Sequence, residues 1–173
     1  MVTEQVAQNK HGILIIGIGN AYRGDDAVGL HVAQYLKKQA RDHVHVIEES
    51  GDGTALMYCW KNADTVILID AVYSGARPGT IHRFDAHTQP IPTNFFHYST
   101  HAFGVAEAIE LARALNLLPS RLTVYGIEGK CFEAGIGLSR EVEKAAEEVL
   151  ILVQHDIRGF GAKIPTIIAS ERI

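Results

Sequence analysis

The sequence predicts an α/β fold: a three-layer sandwich in which a five-stranded, mostly parallel twisted sheet with one antiparallel edge strand carries helices on both faces. Three observations lead to it. Two short runs, GILIIGI at Gly12–Ile18 and TVILI at Thr65–Ile69, are apolar without alternation, as strands buried on both faces are. Strand-like and helical patterns then alternate along the chain, the order of a sheet covered on both sides. Between Ala71 and Pro78 the link to the next strand-like run, TIHRF at Thr80–Phe84, is shorter than the crossover of about a dozen residues that parallel pairing needs. That fourth strand is therefore assigned antiparallel, at an edge.

Taken in order, the first strand ends in the turn-forming residues Gly17, Gly19 and Asn20. From Asp25 onward Val28, Val32, Tyr35 and Leu36 recur at helical spacing, and Lys37 and Lys38 stand where cations favour a helix C-terminus. Val44, Val46 and Ile47 mark a second strand, and after the loop SGDG, Thr54 is placed to cap a short helix through Trp60. The third, central strand ends at Asp70. The stretch Ala86–Tyr98, with Pro90 and Pro92, reads as a long loop of the kind that is often functional inside a compact domain. Ser99 or Thr100 is placed to cap a third helix, with Val105, Ala108, Ile109, Ala112 and Leu115 facing inward. Leu122–Ile127 supplies the fifth strand. Ser139 is placed to cap a last helix striped by Val142, Ala145, Ala146, Val149, Leu150 and Val153. Residues 1–11 and 157–173 read as tails of one domain spanning 1–173. Right-handed crossovers put the second strand on one side of the first and the third on the other. A switch point then opens between the first and third strands at their carboxyl ends, where open α/β sheets bind ligands.

Composition narrows the function. With 173 residues, 47% of them hydrophobic, the chain can bury the core of one globular domain. Sixteen Lys and Arg against twenty Asp and Glu give a net charge of −4, so there is no basic field to gather nucleic acid or anionic lipid. The polar first residues, MVTEQVAQNK, and apolar runs far short of the roughly 18 residues of a membrane span point to a protein that is neither exported nor embedded. Cys59 and Cys131, far apart and in no CxxC pair, encode neither a disulfide framework nor a zinc-cysteine site, which fits a cytoplasmic location.

Acidic residues collect at the expected opening: Asp25 and Asp26 after the first strand, Asp70 at the end of the third. Each has a plain structural use, Asp25 as a cap on the first helix and Asp70 as an acceptor for backbone amides of the next loop. Two carboxylates at one crevice also permit chemistry. His101, near the start of the third helix, adds an imidazole that the helix dipole would keep neutral, the form a metal needs; capping or solvation is its structural alternative. Asp26, Asp70 and His101 together make a mixed oxygen and nitrogen donor set with open positions, suited to nickel or zinc. His97, in the long loop, is a secondary candidate. The other histidines, including His43 and His45, show no ligand spacing such as HExxH and read as surface residues.

Three segments in series resemble a known family. GIGNAYRGDDAVG at Gly17–Gly29, LIDAV at Leu68–Val72 and STHAFGVAEAIELA at Ser99–Ala112 are similar, in order and spacing, to the motifs of hydrogenase maturation proteases. The resemblance covers roughly Ile13 to Val153. It implies an endopeptidase that removes the C-terminal extension of a nickel-iron hydrogenase large-subunit precursor, with Asp26, Asp70 and His101 contacting nickel that the substrate already holds. It further implies no nucleophile of the protein's own, in keeping with the absence of a GxSxG elbow. Metal binding by the free enzyme would then be weak, with zinc or cadmium able to substitute in crystals. The first ligand is Glu in some relatives and Asp26 here. The loop often similar to Asp-Gly-Gly-Thr reads Gly51, Asp52, Gly53, Thr54, a turn and cap that is also placed to read the partner.

Two other functions share some of these features. A strand, glycine turn and helix open dinucleotide-binding folds too, but GxGxxG is incomplete, with Tyr22 at the third glycine's place and two acids where a diphosphate would sit. A non-enzymatic nickel chaperone could use the same three side chains, although carriers favour more imidazole or soft ligands.

Overall fold

In the computed structural model the described residues are 12–40, 42–96, 102–135 and 137–161. They form β1 (Ile13–Ile18), α1 (Val28–Gln39), β2 (Val44–Glu49), α2 (Gly53–Trp60), β3 (Thr65–Val72), β4 (Ile81–Asp85), α3 (Val105–Ala114), β5 (Arg121–Glu128) and α4 (Arg140–Gly161). Short 3-10 turns cover Gly24–Ala27 and Thr93–Phe96. The sheet order is β2-β1-β3-β5-β4, with β4 antiparallel to β5 and every other pairing parallel. This is the expected α/β sheet with its antiparallel edge strand.

The period-two alternation of each strand divides two apolar cores between the sheet's faces. Ile13, Ile15, Ile67, Ile69, Tyr125 and Ile127 pack with α1 and α4. Leu14, Ile16, Ile18, Val66, Leu68, Val72, Leu122 and Val124 pack with α2 and α3. Because β1 and β3 are buried along their whole length, neither shows a polar face, and their unbroken apolar runs follow directly. Each such Ile or Leu contributes about 1.5–3 kcal/mol relative to exposure. A close approach then sets the site. A Cβ on Gly29 would overlap the carbonyl oxygens of Ile18 and Ile69, and one on Gly17 would overlap the Gly29 carbonyl. Two glycines thus let the start of α1 lie directly on β1 and β3, which brings the preceding turn to the crevice between them.

Several boundaries differ from expectation. Asp70 does not end β3, because Ala71 and Val72 go on pairing with Ile127 and Glu128 of β5. The β1 partnership stops at Gly17 opposite Ile69, so Asp70 lies at the step where β3 outruns β1. The N-cap of α2 is Asp52, whose Oδ1 accepts from Ala55 N–H at 2.9 Å, and not Thr54. In α3 the cap position is Gly104, and Glu107 folds back to accept its N–H at 3.1 Å; the expected caps Ser99 and Thr100 lie outside the described residues. Leu115 is exposed rather than inward because α3 ends one residue earlier, and Tyr35, within α1 as its spacing implied, is exposed as well. The long loop contains the turn Thr93–Phe96, which buries Phe96. The last helix runs five residues past Asp156 instead of giving way to a tail. Asp156 is anchored by Tyr125 Oη and Arg83 at 2.8 and 2.9 Å, and Ile157 and Phe160 pack on the core. Among the described residues no helix is long and apolar enough to cross a membrane.

Candidate functional site

Where β1 stops and β3 runs on, the crevice widens into a cavity of about 250 Å³. Its lining, among the described residues, comes from several loops that reach the carboxyl end of the sheet at this point. The turn after β1 supplies Asp26 and Tyr22, the loop after β2 supplies Ser50 and Gly51, β3 and its continuation supply Asp70 and Tyr73, and Phe95 and Phe132 add further aromatic surface. The two predicted carboxylates, Asp26 and Asp70, are therefore brought together at the switch point. His101 and the secondary candidate His97 lie outside the described residues. Among the described residues no group of three His, Cys, Asp and Glu side chains is placed to hold a metal ion.

The cavity makes both carboxylates resist ionisation. For Asp70, burial pushes the pKa well above the usual carboxylate range, the charge of Asp26 pushes it further, and one hydrogen bond from Ala71 N–H at 2.8 Å opposes them. Asp26 is also raised by burial, with the Arg23 charge and the Asn20 backbone N–H pulling it partly back. Two acids that repel each other in a part-dry cleft form an arrangement that a divalent cation would relieve. That is the signature of a functional site more than of a stabilising one. Two carboxylates with room beside them are oxygen donors that any divalent ion accepts, and a preference for a borderline ion such as nickel or zinc would need an imidazole beside them.

Asp25 has neither of the roles considered for it. It makes no side-chain cap on the helix that follows, and no part of it is exposed. Its carboxylate instead accepts from Lys130 N–H, Cys131 N–H and both the N–H and hydroxyl of Ser139. Those bonds turn it away from the cleft, so it cannot stand in for Asp26. Ser139, the expected cap of the last helix, gives its hydroxyl to this carboxylate. Another buried carboxylate, Glu128, accepts from Ser74 N–H and hydroxyl at 2.8 Å each and from Gly75 N–H at 3.0 Å, fixing the β3–β4 link that carries Tyr73. Beside it, His82 departs from the surface reading of the histidines: its Nε2 lies 3.3 Å from Glu128 and its ring packs against Phe95. His43 and His45 are exposed, as expected.

Sequence reasoning missed the aromatic lining. Tyr73 and Phe132 meet edge to face with ring centroids 6.0 Å apart. Tyr73 directly follows β3, so the rule that found the acids, residues just past the carboxyl ends of strands flanking the switch point, would have found it too; Phe132 follows β5, which does not flank that point, and escapes the rule. In the Gly51–Thr54 loop Asp52 caps α2, the expected structural use, while Gly51 lines the cavity.

Comparison with known proteins follows the same lines. A family model described as hydrogenase maturation protease matches residues 30–155. The hydrogenase 2 maturation protease of Escherichia coli K12 is 28% identical over 155 residues, covering 87% of this chain and 93% of its own. Among solved structures, the hydrogenase maturating endopeptidase HybD of Escherichia coli superposes with a TM-score of 0.71 at 26% identity, over 87% of this chain and 94% of that one. The NiFe hydrogenase maturation protease HycI of Thermococcus kodakarensis KOD1 does so with a TM-score of 0.63 at 26% identity, over 91% and 99%.

Proposed function

The chain belongs to the hydrogenase maturation protease family, and from that premise we propose that it is the endopeptidase that removes the C-terminal extension of a nickel-iron hydrogenase large-subunit precursor, reading the nickel the precursor already holds. The observation that supports the reading most strongly is the pairing of Asp26 and Asp70 in one cleft, each reluctant to ionise. A site built to stay anionic in water would not bury two acids together; a site built to receive a cation from a partner would.

The nickel belongs to the substrate, and there it can polarise the scissile carbonyl or activate a water. What this chain adds is binding and placement. The precursor's end enters the cleft along the aromatic lining. Asp26 and Asp70 would hold the positive centre of the precursor, whose charge would favour their ionised forms against the burial that disfavours them. His101 is the nitrogen donor of this set. Zinc or cadmium would occupy the same donors in its place. The chain supplies no thiol nucleophile. Burial, and the neighbouring Glu49 to which it donates, hold the Cys59 thiol up to about 11, far from a reactive thiolate at neutral pH, and Cys131 lies on the surface. Both cysteines are free, in keeping with a reaction in the reducing cytoplasm.

The deciding experiment incubates the purified chain with nickel-loaded and nickel-free precursor and follows precursor mass. Shortening of the loaded form alone is expected. A loaded precursor that keeps its length while nickel moves onto this chain would favour a carrier instead.

A further inference from the structure

Asp25 is fully buried and has no part in the chemistry above. Its Oδ2 accepts from Lys130 N–H at 2.8 Å, Cys131 N–H at 2.9 Å and the Ser139 hydroxyl at 2.9 Å, and its Oδ1 from Ser139 N–H at 2.6 Å. Backbone bonds lie alongside: Asp25 N–H to Cys131 O at 2.9 Å, Gly24 N–H to Gly135 O at 3.0 Å, and Gly135 N–H to Tyr22 O at 2.9 Å. Partners 105 to 114 residues apart in the chain thus form one hydrogen-bonded unit. The approach needs a glycine: Gly24 has φ +53°, and a Cβ there would come within 2.7 Å of the Cys131 carbonyl oxygen.

Successive residues on a tight helical turn point about a third of a turn apart. Turning Asp25 into the β5–α4 loop therefore turns Asp26 out of it, toward the cavity that Asp26 lines. The clamped loop also carries Phe132, which lines the same cavity and packs on Tyr73. Burying a carboxylate is unfavourable unless its oxygens are filled with donors, and here four donors fill them. A neutral side chain of similar shape could join the loops but could not accept from all four.

We propose that Asp25 is a positioning residue of the proteolytic site: its carboxylate clamps the β5–α4 loop so that Asp26 faces the cleft with Phe132 beside it. This rests on the proteolytic reading of the cleft. The test compares Asp25→Asn, Ser139→Ala and, as a control, Asp156→Asn, which breaks hydrogen bonds outside the cleft. Precursor cleavage is measured well below each variant's melting temperature, separating kcat from KM, with amide deuterium exchange alongside. Asp25→Asn should lose about tenfold or more in kcat, since misplacing a reacting group by on the order of 1 Å can cost roughly 10²-fold. Ser139→Ala, which leaves no buried charge unpaired from its backbone donors, should lose less but measurably, and in both variants exchange should quicken at 22–26 and 129–139 together. Asp156→Asn should lower the melting temperature and leave kcat alone. Wild-type kcat in both clamp variants, or exchange at 22–26 that ignores the loosened loop, would overturn the proposal. Should the wild-type chain leave the precursor uncut, the proteolytic reading falls, and the exchange measurement still decides whether Asp25 couples the two loops.

Discussion

Asp70 carries opposite signs for stability and for function. Its folded carboxyl keeps a proton to higher pH than the same group in the unfolded chain, which titrates near the ordinary value of about 3.9. Over that window the folded state binds more protons, so the contribution of Asp70 to stability falls as pH rises from the unfolded value through the folded one. Asp70→Asn is expected to melt above wild type at neutral pH, with the gap closing on acidification, and to process no precursor. A variant that cleaves normally would remove Asp70 from the site. Asp26→Asn should also abolish processing, because the carboxylate of Asp25 is committed to the far loop, and His101→Ala should do the same by removing the nitrogen donor of the proposed set. Alkylation of Cys131 should leave cleavage intact. The two cleft acids were legible because each stands just past or near the carboxyl end of an unbroken apolar run. The separate fate of Asp25 was not. Its partners, Lys130, Cys131 and Ser139, are distant in sequence and two of them contribute only backbone N–H groups, which leave no mark on residue identity.

Among the elements, β1 and β3 were legible because burial on both faces imposes a run that turn residues bound. The caps were read less well, since Asp52 and Thr54 are both good caps and only the path of the chain decides between them. The end of α4 was hidden for a similar reason: beyond Val153 its apolar stripe thins, and the helix is held instead by the cluster of Arg83, Tyr125 and Asp156. Tyr125→Phe removes the hydroxyl that donates to Asp156 and should destabilise the chain by about 1 kcal/mol, read from chemical denaturation. The same hydroxyl, buried and hydrogen-bonded to Asp156, has its pKa pushed up to about 12, so it remains a donor throughout the working pH range. Gly29→Ala tests the packing of α1. The added methyl group meets the backbone of β1 and β3 and not a flexible side chain, so overpacking of roughly 1–3 kcal/mol is expected, together with loss of processing as Asp26 is carried away from Asp70.

For the molecule as a whole, a net charge of only −4 and a small cleft supply no broad electrostatic field to capture the precursor and leave recognition to the cleft itself. This has a consequence for metal dependence. Two carboxylates and at most one imidazole are few donors, and burial disfavours the charged form of both acids, so the free enzyme should bind nickel or zinc weakly. The precursor brings an ion already held by its own ligands, and for that ion the cleft need supply only the remaining positions. Enzyme stripped by a chelator and desalted should therefore process nickel-loaded precursor at the rate of untreated enzyme, while nickel-free precursor stays uncut even when the enzyme has been pre-incubated with nickel. Mass spectrometry of the precursor distinguishes the outcomes. Activity lost on stripping and restored by metal added to the enzyme would make this a conventional metalloprotease with a resident ion, and would mean that donors beyond Asp26, Asp70 and His101 complete a tight site.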